Sequence, residues 1–388
     1  MLIGALGVLQ PLSLDPYLAN TMFIAEDLNV LPTLIAQGLT ALTLGISVGT
    51  AVAGPLSDAI GRRKPVLFAL AGYVLAAIIA SSATSLEVFF TGRVLQGFFA
   101  SCAIVVSSAM LRDLYSGLNL IKAMGRSMLL AASSWFIGPF LGSFIQTFTD
   151  WRGLGYMLAG LAVFLLILIG LKMPDTMSLD RRTKSTAKEV AKRFGALLKD
   201  RVFLGLVFIQ STISISLFAY LNVSPFVYNA AYSITPADVG IFLSLNSVGA
   251  YAGSQLGARL SQMFKPQYAL LSALAVGSLA GLGLIFTANM NLGFIVFTSL
   301  LAIFTFGFGI STTPIMGLAM ASHPQEAGTA AALVNVSGTI ATTLAGAYYA
   351  LLDHNSAIGI GFTQFGFMAL GIVILFTVVR PSKLEAMK

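Results

Sequence analysis

Apolar residues occur along this chain in long uninterrupted runs, and the polar positions are confined to short stretches between them. About 20 apolar residues are needed for a helix to cross ~30 Å of hydrocarbon. Twelve such runs are present, with approximate limits 2–25, 33–54, 66–83, 87–109, 123–147, 154–172, 202–226, 238–262, 268–288, 292–320, 328–352 and 360–379. A transmembrane β-barrel is excluded, because it would show alternating segments of about 10 residues. One long hydrophilic stretch, Pro174 to Asp200, divides the runs six and six. The pattern predicts an all-α integral membrane protein of twelve transmembrane helices in two six-helix, pseudo-symmetric halves. Residues 1–173 form the N-terminal half, 174–200 a cytoplasmic linker and 201–388 the C-terminal half. Two similar halves imply a duplicated architecture with its site between them.

Two readings of the linker stand. Thr186 with Glu189 has capping-box spacing, and Val190, Phe194, Leu197 and Leu198 recur at helical spacing opposite Lys188, Lys192 and Lys199. That pattern predicts a helix lying along the membrane surface. A plain basic linker is the other reading.

Composition narrows the class. The 388 residues are 57% hydrophobic and 10% charged, where a soluble domain carries roughly 25% charged residues. A soluble enzyme is excluded, since lipid must cover what polar side chains cannot. The net charge of +7 does not point to nucleic acid, because the cations sit between apolar runs rather than clustering with aromatics. Placing the amino terminus inside puts every Lys and Arg except Arg93 and Arg152 on the cytoplasmic side. The positive-inside rule therefore predicts cytoplasmic termini and a multi-pass protein of the cell (inner) membrane. The single cysteine, Cys102, lies in an apolar run, and no cleavable signal peptide is visible at the start.

Charge in mid-membrane costs at least ~2.5–3.5 kcal/mol and demands a reason. Asp15 lies in the first span, roughly 16 Å from its outer end, and Arg93 lies roughly 9 Å inside the fourth, at helical rise. One reading is a buried ion pair that locks the two spans. The other is a carboxylate that takes up and releases a proton, with Arg93 controlling its affinity. Apolar packing could replace a purely structural pair at little cost, which favours the second. Pro16 cannot donate to the carbonyl of Leu12, so the first span should bend there. Tyr17, Asn20 and Thr21 add polarity beside the bend.

Gln96, Gln210, Asn222 and Asn246 are further polar residues inside spans, either helix-to-helix glue or substrate contacts. Among the aromatics, Phe136 and Tyr220 are candidates for a greasy, adaptable wall. No metal site is expected, since His323 and His354 lie in separate loops, and no cofactor is expected. There is no phosphate-cradling loop ending in Lys-Ser or Lys-Thr to use ATP. No intramembrane His is present to activate a serine, so no catalytic residue is assigned.

The loop after the second span reads Gly54-Pro55-Leu56-Ser57-Asp58-Ala59-Ile60-Gly61-Arg62-Arg63-Lys64. It resembles the signature loop of the major facilitator superfamily, departing at Ala59, where a cation is usual. Arg93-Val94-Leu95-Gln96-Gly97 is similar to that family's fourth-helix motif, whose Arg is implicated in proton coupling. Gly138-Pro139-Phe140-Leu141-Gly142 resembles its antiporter signature, and Asp150-Trp151-Arg152 the loop that follows. The glycines also form a small-xxx-small packing face. Asp15-Pro16-Tyr17-Leu18, Arg112-Asp113-Leu114-Tyr115, Val223-Ser224-Pro225-Phe226-Val227-Tyr228 and Ala327-Gly328-Thr329-Ala330 resemble the Bcr/CflA, bicyclomycin-resistance-type, drug exporters. Ala19 and Ser108 stand where that subfamily commonly carries Pro and Arg.

The resemblance implies a proton-coupled antiporter, in which the halves rock around a cavity lined by spans one, four, seven and ten. Asp15 and Arg93 are the expected coupling pair. Gly54, Asp58, Gly61, Arg62, Arg63, Arg112, Asp113, Gly138, Pro139 and Gly142 are the expected conformational residues. Tyr17, Asn20, Gln96, Ser108, Phe136, Gln210, Tyr220, Asn222 and Asn246 are the substrate-contact candidates. The expected partners are a small amphipathic molecule, protons and the bilayer, and the expected carrier is a monomer. A proton symporter importing a nutrient, or an exporter of one metabolite, would use the same Asp15. A membrane-embedded enzyme or receptor is disfavoured.

Overall fold

The computed structural model describes residues 2–177, 195, 197–290, 292–323, 327–352 and 356–380. The first span is Leu2–Ala19, continued by Thr21–Asp27. The other five of the N-terminal set are Pro32–Ile60, Arg63–Ser81, Leu86–Leu114, Gly117–Gln146 and Trp151–Lys172. The C-terminal set runs Arg201–Tyr232, Pro236–Met263, Pro266–Met290, Phe294–Ser322, then Ala327–Leu344 with Gly346–Leu351, and Ala357–Ile374 with Leu375–Val379. Nine helices among the described residues are long and apolar enough to cross a membrane. Several outrun the apolar runs that predict them, notably the second through Asp58 and the fourth through Asp113. Helices continue where flanking polar side chains reach water or one another. Thr186, Glu189, Val190 and Phe194, expected on a surface helix, lie outside the described residues, as does His354.

Polar residues start the helices. Ser85, Asp150, Asp200 and Ser356 accept from backbone N–H groups of the fourth, sixth, seventh and twelfth spans, satisfying donors that have no partner inside the helix.

The first span carries Pro16, where the sequence predicts a bend. Its helix runs through Pro16, and the interruption falls at Asn20, where φ is −97° and ψ is 0°. Asn20 Nδ2 donates to the carbonyls of Pro16 at 3.0 Å and Gly142 at 3.2 Å. That side chain spans the interruption and ties it to the fifth span.

The chain divides into two compact units, Met1–Val190 with Pro236–Ile241, and Ala191–Thr235 with Phe242–Lys388. Within the first unit the second and fourth spans touch through glycine. A Cβ at Gly45 would strike the carbonyl of Val94, and one at Gly97 the carbonyl of Leu42. Within the second unit the eighth and tenth spans repeat the device, Gly253 against the Phe306 carbonyl and Gly309 against that of Ala250. Close backbone approach through small residues is how helices associate in lipid.

Gly45→Val is expected to cost about 1–3 kcal/mol by overpacking and to lower the unfolding midpoint of the purified protein. Gly54→Ala serves as the control: nothing lies within 4 Å of its Cβ position, so helix propensity alone should hold the midpoint level or raise it.

Candidate functional site

The first unit buries a polar chain that crosses three spans. Ser13 Oγ lies 2.6 Å from the hydroxyl of Tyr73, and Gln96 Nε2 donates to that hydroxyl at 3.2 Å. Arg93 Nη1 donates to Gln96 Oε1 at 2.8 Å, and its guanidinium lies 4.1 Å from the centre of the Tyr17 ring. Arg93 is 1% exposed and Gln96 is fully buried. A desolvated cation over an aromatic face gains about 2 kcal/mol. Against Tyr17 and Arg93 lies a cavity of about 20 Å³, room for about one water.

Asp15 does not join this chain. It is 8% exposed, and its Oδ2 is buried with no hydrogen-bond partner. Among the described residues no ion pair links it to Arg93, so the structure does not bring the two expected coupling residues together. The helix explains why. Tyr17 stands two residues, or about 200° of helical rotation, from Asp15, so Tyr17 meets the fourth span while Asp15 turns to the fifth. A Cβ at Gly138 would fall 2.8 Å from Asp15 Cβ and 3.5 Å from Oδ2, and one at Gly142 would strike the Pro16 carbonyl. Gly138 and Gly142 thus seat Asp15 and Pro16 directly on the fifth span beside the buried Pro139.

A second cluster gathers the loop after the second span. Arg62 Nη1 reaches Asp58 Oδ1 at 2.5 Å and Ser57 Oγ at 2.8 Å, and Nε reaches Asp113 Oδ2 at 2.9 Å. The Arg62 backbone N–H donates to Asp175 Oδ1 at 2.9 Å. Burial works against the Arg62 charge, but hydrogen bonds and attraction from Asp113 and Asp58 outweigh it and hold its pKa above the ordinary arginine value. Gly61 turns the chain with φ at +92°, a conformation open to glycine and strained for other residues. Arg63 Nη2 donates to the carbonyl of Gly170 at 2.6 Å. Arg112 is exposed and Gly54 stands in open space; among the described residues neither belongs to the ionic cluster.

At the other end, Arg152 pairs with Asp27 at 2.7 Å, donates to the Ala83 carbonyl and lies over the Trp151 ring.

The second unit has its own polar centre. Asn246 Nδ2 donates to the hydroxyls of Tyr228 at 3.1 Å and Tyr220 at 3.4 Å, and Thr298 donates to Tyr228 at 3.3 Å. The remaining candidates are scattered. Asn222 turns back to the Phe218 carbonyl, Gln210 donates to Ser214 on its own helix, and Ser108 is half-buried. The Phe136 side chain lies outside those described.

Sequence reasoning missed Ser13, Tyr73, Asp175 and Gln364. Tyr73 was detectable as a lone phenol inside the third apolar run. Gln364 is fully buried with neither amide atom partnered; its signal was a single amide in the twelfth run. Tyr73→Phe would leave the Gln96 amide and the Ser13 hydroxyl short of a buried partner. That should cost about 1–3 kcal/mol, read as a lower unfolding midpoint with the fold retained.

Comparison with known proteins gives concordant results. Residues 13–346 match the Major Facilitator Superfamily. A relative in Bacillus subtilis (strain 168), described as the uncharacterized MFS-type transporter YdgK, is 29% identical over 98% of this chain and 94% of its own. The bicyclomycin resistance protein homolog of Haemophilus influenzae is 28% identical over 96% of this chain and 94% of its own. The crystal structure of a D-xylose-proton symporter superposes with a TM-score of 0.80 at 16% identity, covering 100% of this chain and 98% of that one. At that identity it shows the fold alone.

Proposed function

Because this chain belongs to the Major Facilitator Superfamily, and is a multi-pass transporter rather than an enzyme, we propose that it is a proton-coupled antiporter. In this reading it exports small amphipathic compounds by alternating access, in the manner of the Bcr/CflA drug exporters. It works as a monomer in the bacterial inner membrane with both termini cytoplasmic. The observation that carries the reading is Asp15, a buried carboxyl in the first span with an oxygen that no group satisfies.

An unpaired carboxylate in hydrocarbon costs several kcal/mol, and uptake of one proton removes that cost. Loss of the proton creates a negative site, which a cationic group of the substrate relieves. Proton and substrate then exclude one another at one group, which is the condition for exchange. Arg93, held by Tyr17 and Gln96, positions the Tyr17 face of the first span and lends that region positive potential without neutralising Asp15 directly. The Arg62 cluster acts as a latch present in one conformation.

The driving force sets a scale. One proton crossing ~100 mV supplies ~2.3 kcal/mol, enough for a substrate gradient of roughly fifty-fold at 1.4 kcal/mol per decade. Exchange of one proton for a monovalent cation moves no net charge and draws on the pH difference alone.

Export is favoured over nutrient import by the fifth-span Gly138 and Gly142 packed against Asp15 and Pro16, and by the resistance-protein name of the Haemophilus relative. Inverted membrane vesicles with an acid interior test this. They should accumulate an amphipathic cationic dye, and a protonophore should discharge it. Dye or nutrient accumulation only in right-side-out vesicles acid outside would identify an importer instead.

A further inference from the structure

A cavity of about 320 Å³ opens among the start of the first span, the end of the fourth and the start of the fifth, with Gly4 on the first-span side. Lys122 and Arg126 line it, together with Asn119, Tyr115 and the apolar Leu111 and Leu130. It contains no carboxylate. Among the described residues neither cation forms an ion pair, and Asp113, the nearby acid of the fourth span, is bonded to Arg62. Lys122 and Arg126 stand four residues apart on one helix face, where like charges repel. The first turn of the fifth span, which carries Asn119, adds unpaired N–H groups and the positive end of its dipole. Topology asks only for cations on this side of the membrane; it does not ask for two of them to converge on a cavity.

We propose that this cavity binds a phosphate-bearing organic anion. Its volume is at the lower end of the range for small-molecule sites and leaves room for more than a bare ion. Basic pockets between transmembrane helices on the cytoplasmic side hold phosphate headgroups by the same chemistry. The two cations meet the phosphate charge, Asn119 and Tyr115 supply neutral donors, and Leu111 and Leu130 cover the attached carbon skeleton. Only the assignment to the cytoplasmic face rests on the orientation proposed above; the binding chemistry does not.

Native mass spectrometry of the full chain, purified and delipidated in a neutral detergent, tests this without any transport measurement. Three probes are titrated separately: phosphatidylglycerol, glycerol 3-phosphate and diacylglycerol as the uncharged control. One saturable site is expected for a phosphate probe. Binding of phosphatidylglycerol alone assigns it to a lipid headgroup, and binding of glycerol 3-phosphate assigns it to soluble phosphates. The double variant Lys122→Gln/Arg126→Gln, checked for an unchanged unfolding midpoint, should weaken binding about thirty-fold, which is about 2 kcal/mol at 1.4 kcal/mol per decade. Lys122→Gln alone should weaken it about five-fold, and Lys172→Gln, on the sixth span away from the cavity, should leave it unchanged. Equal binding of diacylglycerol, no binding of either phosphate, or full binding by the double variant would overturn the proposal.

Discussion

Asp15→Asn is expected to abolish both proton-driven accumulation and substrate exchange while leaving a folded carrier. The amide has nearly the shape of the neutral acid, so the contact with Gly138 survives. What is lost is the ability to switch charge. With no titrating group the imposed pH difference does no work, and the accumulation ratio of a monovalent cation should fall from the roughly ten-fold that one proton supports per pH unit at 1.4 kcal/mol per decade to about one. Exchange of labelled for unlabelled substrate at equal pH should fall as well, because the cationic group of the substrate loses the carboxylate that receives it. The unfolding midpoint separates this loss from a loss of folding. The unfolding midpoint should hold or rise, because the variant carries no ionisable group at a site with an unpartnered oxygen.

Arg62→Gln should have the next largest effect. Arg62 joins Asp58, Asp113 and Ser57, and its own backbone is held by Asp175. Removing the guanidinium leaves two carboxylates facing one another. Breaking a buried pair costs about 3–5 kcal/mol. The Asp58 side chain is 38% exposed against 18% for Asp113, so solvent screens the first and the loss here should be about 3 kcal/mol or less. As a latch in one of two transport states, the cluster would shift their balance by up to about a hundred-fold at 1.4 kcal/mol per decade. Exchange and accumulation should fall together while substrate-induced proton release, lost in Asp15→Asn, persists. Arg62→Lys should recover part of the rate, since it keeps the charge and loses the fork that reaches both acids. Equal-pH exchange in proteoliposomes reads both results.

Span number and helical class were legible because crossing a bilayer imposes a length and a composition on each helix, and the runs carry both. The burial of Asp15 and Arg93 was legible for the same reason. Their mutual position was not. Depth along a helix follows from counting residues, whereas the direction a side chain faces depends on helical phase and on which neighbour packs there. Asp15 and Tyr17 lie two residues apart and meet different spans. Phase likewise decided between neighbours at the end of the fourth span, where Asp113 bonds to Arg62 and Arg112 is exposed. Asp175 could not be found by pattern, because it meets Arg62 across 113 residues of chain. The interruption at Asn20 could not be found by pattern either, because its side-chain amide donates to the Pro16 carbonyl across the interruption and to Gly142 on the fifth span, 122 residues away.

In the proposed exchange, one proton and one substrate compete for Asp15. Adding substrate to the protonated, detergent-purified carrier in a weakly buffered indicator solution tests it most directly. Release of about one proton per carrier is expected from the wild type and none from Asp15→Asn. Undiminished release from that variant would contradict the competition.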